Sequence, residues 1–209
     1  MNGHGALMDQ VYRRQKHVYD LTRKYYLFGR DRVIAGLGAK PGARVLELGC
    51  GTGRNLARIA AAWPDVQLYG LDISHEMLGL AKGKLGSRAT LRVADATAFD
   101  PQAAFGVAGF DHIVVSYALS MIPDWQGTIA HAGAQLAPGG RLHIVDFGDL
   151  GGLPRPLAGM LRRWLALFHV TPRDGMADFA ARVAACDGLS CAVAFGPGRY
   201  YQTIMLARA

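Results

Sequence analysis

Short apolar runs alternate with segments of helical periodicity through the middle of the chain. The apolar runs span residues 44–48, 67–71, 90–94, 110–116 and 141–147. Between some of them, apolar side chains recur at helical spacing over 54–63, 75–85 and 127–136. Apolar runs separated by amphipathic helices are typical of parallel strands buried on both faces. The pattern therefore predicts a doubly wound α/β fold, in which ligands bind beyond the carboxyl ends of the strands.

The two ends of the chain have a different character. Residues 5–28 mix aromatic and cationic side chains and predict one or two helices. After a linker at 151–156, a single apolar stripe at helical spacing predicts an amphipathic helix. The stripe consists of Leu157, Met160, Leu161, Trp164, Leu165 and Phe168. Two segments around Gly196-Pro197-Gly198 predict a C-terminal hairpin that closes the sheet.

Composition places the chain among single-domain globular proteins. It has 209 residues, 51% apolar and 19% charged, which allows a full core and excludes a disordered chain. It has no uncharged apolar stretch of about 18 residues, and its N-terminus lacks the apolar region of a signal peptide. Its three cysteines show no metal-ligand spacing. We therefore expect a cytoplasmic location and no transmembrane helix.

The net charge of +7 is unevenly distributed along the chain. Residues 1–44 carry nine Lys/Arg against three Asp/Glu, residues 45–150 seven against ten, and residues 151–209 seven against three. Cationic ends favour an anionic partner, such as a nucleic acid, an anionic membrane or a phosphate ester. A solvated basic surface without a partner is the alternative.

A glycine-rich loop after the first strand carries the strongest chemical signal. Gly49, Gly51 and Gly53 stand at every second position between a strand and a helix, where they let a ligand approach the backbone. Asp72 ends the next strand, where a carboxylate can accept hydrogen bonds from both hydroxyls of a ribose. Asp95 ends the third strand and can accept from an adenine amino group. Together these residues predict a nucleoside site.

These motifs resemble those of class I S-adenosylmethionine-dependent methyltransferases over residues 43–149. The resemblance also includes Tyr117 after the fourth strand and the sequence Leu-Ala-Pro-Gly-Gly at 136–140. It implies a mostly parallel, seven-stranded Rossmann-like sheet with a C-terminal antiparallel hairpin and N-terminal lid helices. It further implies S-adenosylmethionine as cofactor, S-adenosylhomocysteine as its product, and a domain over 41–209 preceded by a helical lid and substrate segment over 1–40. The amphipathic segment at about 153–170 is then an insertion.

The same resemblance implies roles for individual residues. The three loop glycines would pack on the methionine part of the cofactor, Asp72 would bind the ribose, and Asp95 with Ala96 would bind the adenine. The implied cofactor set also contains Cys50, Asn55, Ile73, Met77 and Ser116. No metal is expected, because the seven histidines show neither HxH nor HxxxH pairing. The third glycine stands one position earlier than in GxGxxG, which suits a cofactor without a pyrophosphate.

The segment 19–32 and the sequence Gly-Cys-Gly-Thr-Gly-Arg-Asn-Leu at 49–56 resemble bacterial betaine-lipid N-methyltransferases. This resemblance implies successive N-methylation of an amino lipid, diacylglyceryl-homoserine, at an anionic inner-membrane surface. Phosphatidylethanolamine N-methyltransferases are a close neighbour. A quinone-biosynthesis or other small-molecule methyltransferase is an alternative, as is an RNA methyltransferase, although 116–119 lacks the Asn/Asp-Pro-Pro-aromatic tetrad of base N-methyltransferases. A non-enzymatic nucleotide-binding module is the third class, and no nucleic-acid partner is expected.

A lipid-amine substrate defines the remaining candidate residues. The attacking amine must be neutral, and its methylated product is a cation that aromatic faces tolerate. Tyr26 and Tyr117 are candidates to line the amine, with Asp146 as a polar partner. Tyr19 and Arg23 are candidates for the cofactor carboxylate. The candidates for substrate binding, chiefly for the lipid anion, are Tyr25, Arg30, His169, Arg199 and Tyr200.

Overall fold

The computed structural model describes residues 27–168 and 170–209. Its centre is a seven-stranded sheet in the order β3-β2-β1-β4-β5-β7-β6. β1 to β5 run parallel, and β7 pairs antiparallel with both β5 and β6. The strands are β1 (Arg44–Leu48), β2 (Gln67–Asp72), β3 (Ala89–Val93), β4 (Phe110–Ser116), β5 (Leu136–Phe147), β6 (Leu189–Phe195) and β7 (Tyr201–Arg208). The predicted doubly wound sheet with a C-terminal antiparallel hairpin is confirmed.

Helices connect these strands and cover the sheet. They are α1 (Arg30–Ala35), α2 (Arg54–Ala62), α3 (His75–Leu85), α4 (Pro101–Phe105), α5 (Trp125–Ala134), α6 (Arg155–Ala166) and α7 (Met176–Asp187). The sequence interpretation placed α2, α3 and α5 within about two residues and did not include α1, α4 or α7. The apolar residues of α7 do have helical spacing, but most of them are alanines, which give a weak hydrophobic signal.

Neighbouring residues of β1 belong to different layers of the core. Leu46 packs in a cluster with Phe110, whereas Val45 packs in a second cluster with Leu56. Because successive side chains of a strand point to opposite faces, a strand covered on both sides is apolar at most of its positions. β1 occupies the middle of the sheet, so its carboxyl end and those of its parallel neighbours form one edge. The candidate cofactor residues lie along this edge.

A third apolar cluster forms beyond this edge. It includes Leu27, Tyr117, Phe147 and Leu165, with Tyr200 packed against it. The cluster therefore joins the start of the described chain, the loop after β4, the end of β5 and helix α6. Residues 1–26 and His169 lie outside the described residues, so most of the predicted lid and five candidate residues are not described: Tyr19, Arg23, Tyr25, Tyr26 and His169.

The apolar stripe predicted for 157–168 is divided between core and surface. Leu165 is fully buried, and Leu161 and Phe168 pack against the third cluster. Leu157, Met160 and Trp164 are exposed. The helix therefore contacts the domain through only part of its apolar stripe, and the rest of the stripe lies on the outer surface.

Two buried histidines face each other across β4 and β5. The Nδ1 atom of His112 lies 3.2 Å from the Nε2 atom of His143. Burial is the main cause that lowers the pKa of His143 to about 3, and the neighbouring His112 and Arg141 add to it. Burial and Arg141 also lower the pKa of His112. Both rings are therefore neutral in the folded protein at neutral pH.

We expect acidification from pH 7 to pH 4 to lower the free energy of unfolding through this pair. Below about pH 6.5 the unfolded chain protonates both histidines, whereas the folded chain protonates His143 only near pH 3 and His112 less readily than the unfolded chain does, so protons favour unfolding. His143 contributes up to about 1.4 kcal/mol per pH unit within this window, and His112 acts in the same direction. Urea unfolding at several pH values measures the slope.

The variant His112→Phe/His143→Leu tests the origin of that slope. Its free energy of unfolding should depend on pH less steeply than that of the wild type below pH 6.5. The exposed His75→Gln is the control and should keep the wild-type slope. A double variant with the wild-type slope would assign the acid sensitivity to other groups.

Candidate functional site

The glycine loop after β1 adopts a conformation that side chains disfavour. Gly49, Gly51 and Gly53 have φ angles of 66°, 53° and 73°, all in the left-handed region. A Cβ atom on Gly49 would lie 2.8 Å from the Cβ of Ala118, and one on Gly53 would lie 2.9 Å from Leu85 Cδ1. A Cβ on Gly51 would meet no protein atom within 4 Å. Gly49 and Gly53 therefore allow neighbouring side chains to pack closely against the loop, whereas Gly51 faces open space.

Asp72 holds this loop to the end of β2. One oxygen of its carboxylate accepts a hydrogen bond from the Gly51 backbone N–H at 2.8 Å, and the other accepts from the Ser74 N–H at 2.9 Å. Ser74 in turn caps α3, since its hydroxyl accepts from the N–H of Met77 at 3.2 Å. Met77 and Cys50 are buried, and Ile73 is half-buried. Through these hydrogen bonds, Asp72 and Ser74 connect the glycine loop to the start of α3.

Asp95 lies at the corresponding place after β3. One of its carboxylate oxygens accepts from both the backbone N–H and the hydroxyl of Thr97, at 2.9 and 2.7 Å. The side chain is half-buried, and the adjacent Ala96 packs in the core. Asp95 is therefore oriented by its own turn, at the same edge of the sheet as Asp72.

Two buried polar atoms near this edge have no hydrogen-bond partner within the described residues. They are the Ser116 hydroxyl oxygen at the end of β4 and the Glu47 Oε2 atom in β1. The other Glu47 oxygen accepts from Asn55 Nδ2 at 2.7 Å. Burial raises the pKa of Glu47 to about 8, although Asn55 and Arg30 oppose this shift. Unsatisfied buried polar groups beside an open glycine loop fit a polar ligand.

Tyr117 belongs to the third cluster, and Asp146 lies in β5 between the cluster residues Val145 and Phe147. The Tyr117 hydroxyl donates to the Phe28 carbonyl oxygen at 2.6 Å, and its backbone is strained, with φ at 53°. Burial, with a smaller contribution from Asp146, raises the pKa of Tyr117. Asp146 is fully buried and accepts from the backbone N–H groups of Phe147 and Ser120. Tyr117 thus binds the backbone at Phe28, and Asp146 binds the backbone at Ser120 and Phe147. Their roles in the reaction stay predictions.

A cavity of about 620 Å³ opens beside the start of α2. Its walls combine aromatic and apolar residues with arginines: Leu27, Phe28, Gly29, Arg30, Asp31, Arg32, Arg54, Pro197, Tyr200 and Tyr201. The rings of Phe28 and Tyr200 meet edge to face at 5.6 Å. A volume between about 300 and 1,000 Å³ is typical of sites for small molecules. Two predicted substrate residues, Arg30 and Tyr200, therefore share one cavity.

A polar network links this cavity to the glycine loop. Arg54 directly follows Gly53, and its guanidinium donates to Asn55 Oδ1 at 3.2 Å and contacts Asp31 Oδ1 at 3.4 Å. Asn55 then contacts Glu47 as described above. The cavity and the candidate cofactor edge are thus neighbours, separated by the first turn of α2.

Arg199 is placed differently from the other candidate substrate residues. Its guanidinium donates to both carboxylate oxygens of Asp149, at 2.7 and 2.6 Å, and lies 3.8 Å from the ring centroid of Phe195. This pairing fastens the β6–β7 turn to the loop after β5. Arg199 is not among the residues that line the cavity. Its predicted contact with a lipid anion is untested.

Several residues of the site were not singled out from the sequence. Glu47, Phe28, Arg54 and Tyr201 line the cavity or the adjacent network. A glutamate inside an otherwise apolar strand is a signal that sequence reading could have used, because an unpaired buried carboxyl is costly. Phe28 belongs to the aromatic and cationic segment 5–28, but nothing in the sequence pattern indicates that Tyr201 lines the same cavity.

Comparison with known proteins identifies the family. The profile of a family described as "Methyltransferase domain" matches residues 46–142. A demethylmenaquinone methyltransferase of Tropheryma whipplei is 31% identical over 180 residues, which are 81% of this chain and 69% of that protein. The chain belongs to the class I S-adenosylmethionine-dependent methyltransferases. This confirms the coarser resemblance drawn from the glycine loop and the strand-end aspartates.

Other relatives agree with this assignment. A demethylmenaquinone methyltransferase of Deinococcus radiodurans is 28% identical over 165 residues, which are 75% of this chain and 65% of that protein. The chain thus spans about two thirds of the length of the curated relatives named here. A Haemonchus contortus phosphoethanolamine N-methyltransferase, solved with S-adenosylmethionine, superimposes with a TM-score of 0.66 at 17% identity, covering 86% of this chain and 52% of that one. That likeness shows the fold.

The residues at the strand edge suit the cofactor of this methyltransferase family. The open face of Gly51, the Asp72 carboxylate and the unsatisfied Ser116 hydroxyl provide a close backbone approach and polar groups for a nucleoside. Within residues 27–168 and 170–209, no group of three His, Cys, Asp or Glu side chains is arranged to hold a metal ion. In the same ranges, no helix has both the length and the apolar character needed to cross a membrane.

Proposed function

We propose that this methyltransferase acts on a quinol of the kind methylated in quinone biosynthesis. The observation that carries the proposal is the sequence similarity to two demethylmenaquinone methyltransferases, which extends over most of this chain. We propose quinol methylation ahead of lipid N-methylation, because neither of these two relatives is a betaine-lipid enzyme of the kind that 19–32 and 49–56 resemble.

The cavity supports an aromatic acceptor. Phe28, Tyr200 and Tyr201 offer ring faces and edges for a planar apolar molecule. Arg30, Arg32 and Arg54 outnumber the single acidic residue of the wall, Asp31, so the cavity is electropositive. An electropositive site lowers the pKa of a bound phenol and so favours the phenolate, which makes its ring carbon more nucleophilic.

For cofactor binding, we propose the roles that the sequence predicted. S-adenosylmethionine supplies an electrophilic methyl group on a positively charged sulfur. Gly49, Gly51 and Gly53 would contact its methionine part, Asp72 its ribose hydroxyls, and Asp95 with Ala96 its adenine. Ser116 offers a free hydroxyl oxygen beside that site. Asn55 orients Glu47, and therefore acts on the loop indirectly.

Methylation of a lipid amine is the second candidate function. The cavity places aromatic rings and arginines side by side, and such a wall suits a methylated ammonium next to a phosphate or carboxylate. The cationic ends of the chain suit an anionic membrane that contains such lipids. Peripheral attachment to the inner membrane would serve either substrate.

Direct assay with methyl-labelled S-adenosylmethionine separates the two candidates. The full chain is incubated with reduced demethylmenaquinone in detergent, with phosphatidylethanolamine vesicles, or with diacylglyceryl-homoserine vesicles, and the products are identified by mass spectrometry. The proposal expects label on the quinol ring carbon. Label on the lipid nitrogen would replace it with the second candidate, and S-adenosylhomocysteine binding without label on any acceptor would contradict both.

A further inference from the structure

The outward face of α6 exposes large apolar side chains. The relative exposures are 43% for Leu157, 65% for Met160, 38% for Trp164 and 74% for Leu167, which directly follows the helix. Four such residues, spaced over nearly three successive turns, form a contiguous patch. Contiguous apolar patches on a protein surface mark sites of contact with another protein or with a membrane.

The inward face of the same helix reaches the candidate site. Leu161, Leu165 and Phe168 pack against the third cluster, which contains Tyr117, Phe147 and Leu27. Tyr200 belongs both to the packing around this cluster and to the wall of the cavity. α6 therefore lies between the outer surface and the region in which an acceptor would bind.

The charges around the patch favour an anionic surface. The helix contains Arg155, Arg162 and Arg163 and has no acidic residue. Arg155 and Arg163 are exposed, whereas Arg162 donates to Asp174 at 2.8 Å. Exposed arginines beside Trp and Leu side chains are typical of helices that lie in the headgroup layer of a bilayer.

The same charges disfavour two other occupants. A second copy that packed α6 against α6 would bring like-charged arginines together, which costs free energy. Residues 1–26 carry five Lys/Arg against two Asp, so their net charge has the same sign as that of the helix. An anionic bilayer matches both the apolar patch and the arginines.

We propose that the α6 face formed by Leu157, Met160, Trp164 and Leu167 docks on the surface of an anionic bilayer, with Arg163, which is three residues from Met160 and four from Leu167, in contact with lipid headgroups. Docking in this orientation places the third cluster toward the membrane. The consequence, that a membrane-dissolved acceptor enters beside α6, rests on the proposed function. The docking surface itself does not.

Vesicle flotation of the full chain tests the docking. The probes are phosphatidylcholine vesicles with about 30% phosphatidylglycerol and vesicles of phosphatidylcholine alone. We expect the wild type to float with the anionic vesicles and less with the neutral ones. Met160→Gln/Leu167→Gln should reduce the bound fraction about tenfold, since glutamine keeps the helix propensity but removes the apolar contact. Arg163→Gln should weaken binding and reduce its salt dependence.

A matched variant controls for loss of exposed apolar surface in general. Leu80→Gln/Val193→Thr changes two exposed apolar residues on α3 and β6, at about 40% exposure each, and should float like the wild type. Equal flotation of the wild type and the Met160/Leu167 variant would overturn the proposal. So would a wild-type dimer, shown by analytical ultracentrifugation, that this variant abolishes without any vesicle binding.

A second readout separates docking from the proposed function. Methylation of a short-chain, water-dispersed quinol should be the same in the wild type and in Met160→Gln/Leu167→Gln, because neither residue lines the cavity. Methylation of a long-chain quinol in anionic vesicles should fall in the variant. If the wild type floats but methylates neither quinol, docking stands and the proposed function fails.

Discussion

Asp72→Ala should weaken the binding of S-adenosylhomocysteine by at least about a hundredfold. The carboxylate would lose the two hydrogen bonds that we propose it accepts from ribose hydroxyls, at about 1.5–3 kcal/mol for each bond to a charged group. It would also release the Gly51 and Ser74 N–H groups that it now holds at 2.8 and 2.9 Å, so the glycine loop would lose its anchor. Isothermal titration calorimetry measures the affinity, and urea unfolding shows whether the fold persists.

Asp100→Ala is the matched control for this change. Asp100 caps α4, and its carboxylate accepts from the Gln102 N–H at 2.9 Å, much as the Asp72 carboxylate accepts from the Ser74 N–H two residues further on. Asp100→Ala should lose about 1 kcal/mol of unfolding free energy through the lost cap, and Asp72→Ala should lose stability through its two backbone hydrogen bonds. The control should bind S-adenosylhomocysteine as the wild type does. An Asp72→Ala affinity within twofold of wild type would remove Asp72 from the cofactor site.

Gly51→Ala should impair cofactor binding more than it impairs stability. Alanine at φ 53° costs about 1–2 kcal/mol of strain, and its Cβ meets no protein atom within 4 Å. The added methyl therefore stands in the space that faces the loop, where we propose that the cofactor binds. We expect the affinity for S-adenosylhomocysteine to fall by about thirtyfold or more, with a loss of unfolding free energy close to the strain alone.

Gly53→Ala provides the comparison within the same loop. Its φ of 73° imposes a similar strain, but its Cβ would lie 2.9 Å from Leu85 Cδ1 and 3.0 Å from Ala81 Cβ. The packing of α2 on α3 must then shift, which adds about 1–3 kcal/mol to the loss of stability. Gly53→Ala should therefore be the less stable variant and the better binder of the two. The reverse order on both measurements would contradict the assignment of Gly51 to the ligand side.

The cofactor side of the site was largely readable from the sequence because it is built from local units. The glycine loop lies in the connection from β1 to α2, and Asp72 and Ser74 lie in the connection from β2 to α3. Because β1 and β2 are neighbours both in sequence and in the sheet, residues at their carboxyl ends lie close together. The acceptor side was not readable in this way. Phe28, Arg54 and Tyr201 come from three distant parts of the chain and meet in one cavity through the order of the strands.

The alternation of apolar runs and amphipathic segments determined the sheet, its parallel centre and the edge at which the glycines and aspartates gather, since each of these follows from periodicity and strand ends. Only the tertiary structure decided how the α6 stripe divides between core and surface, because a helix is buried only as far as its neighbours extend. It also decided that His112 meets His143 and that Glu47 is enclosed beside Asn55. The histidine contact depends on the register between two strands, and the enclosure of Glu47 depends on how the segments around it pack, and no local pattern specifies either.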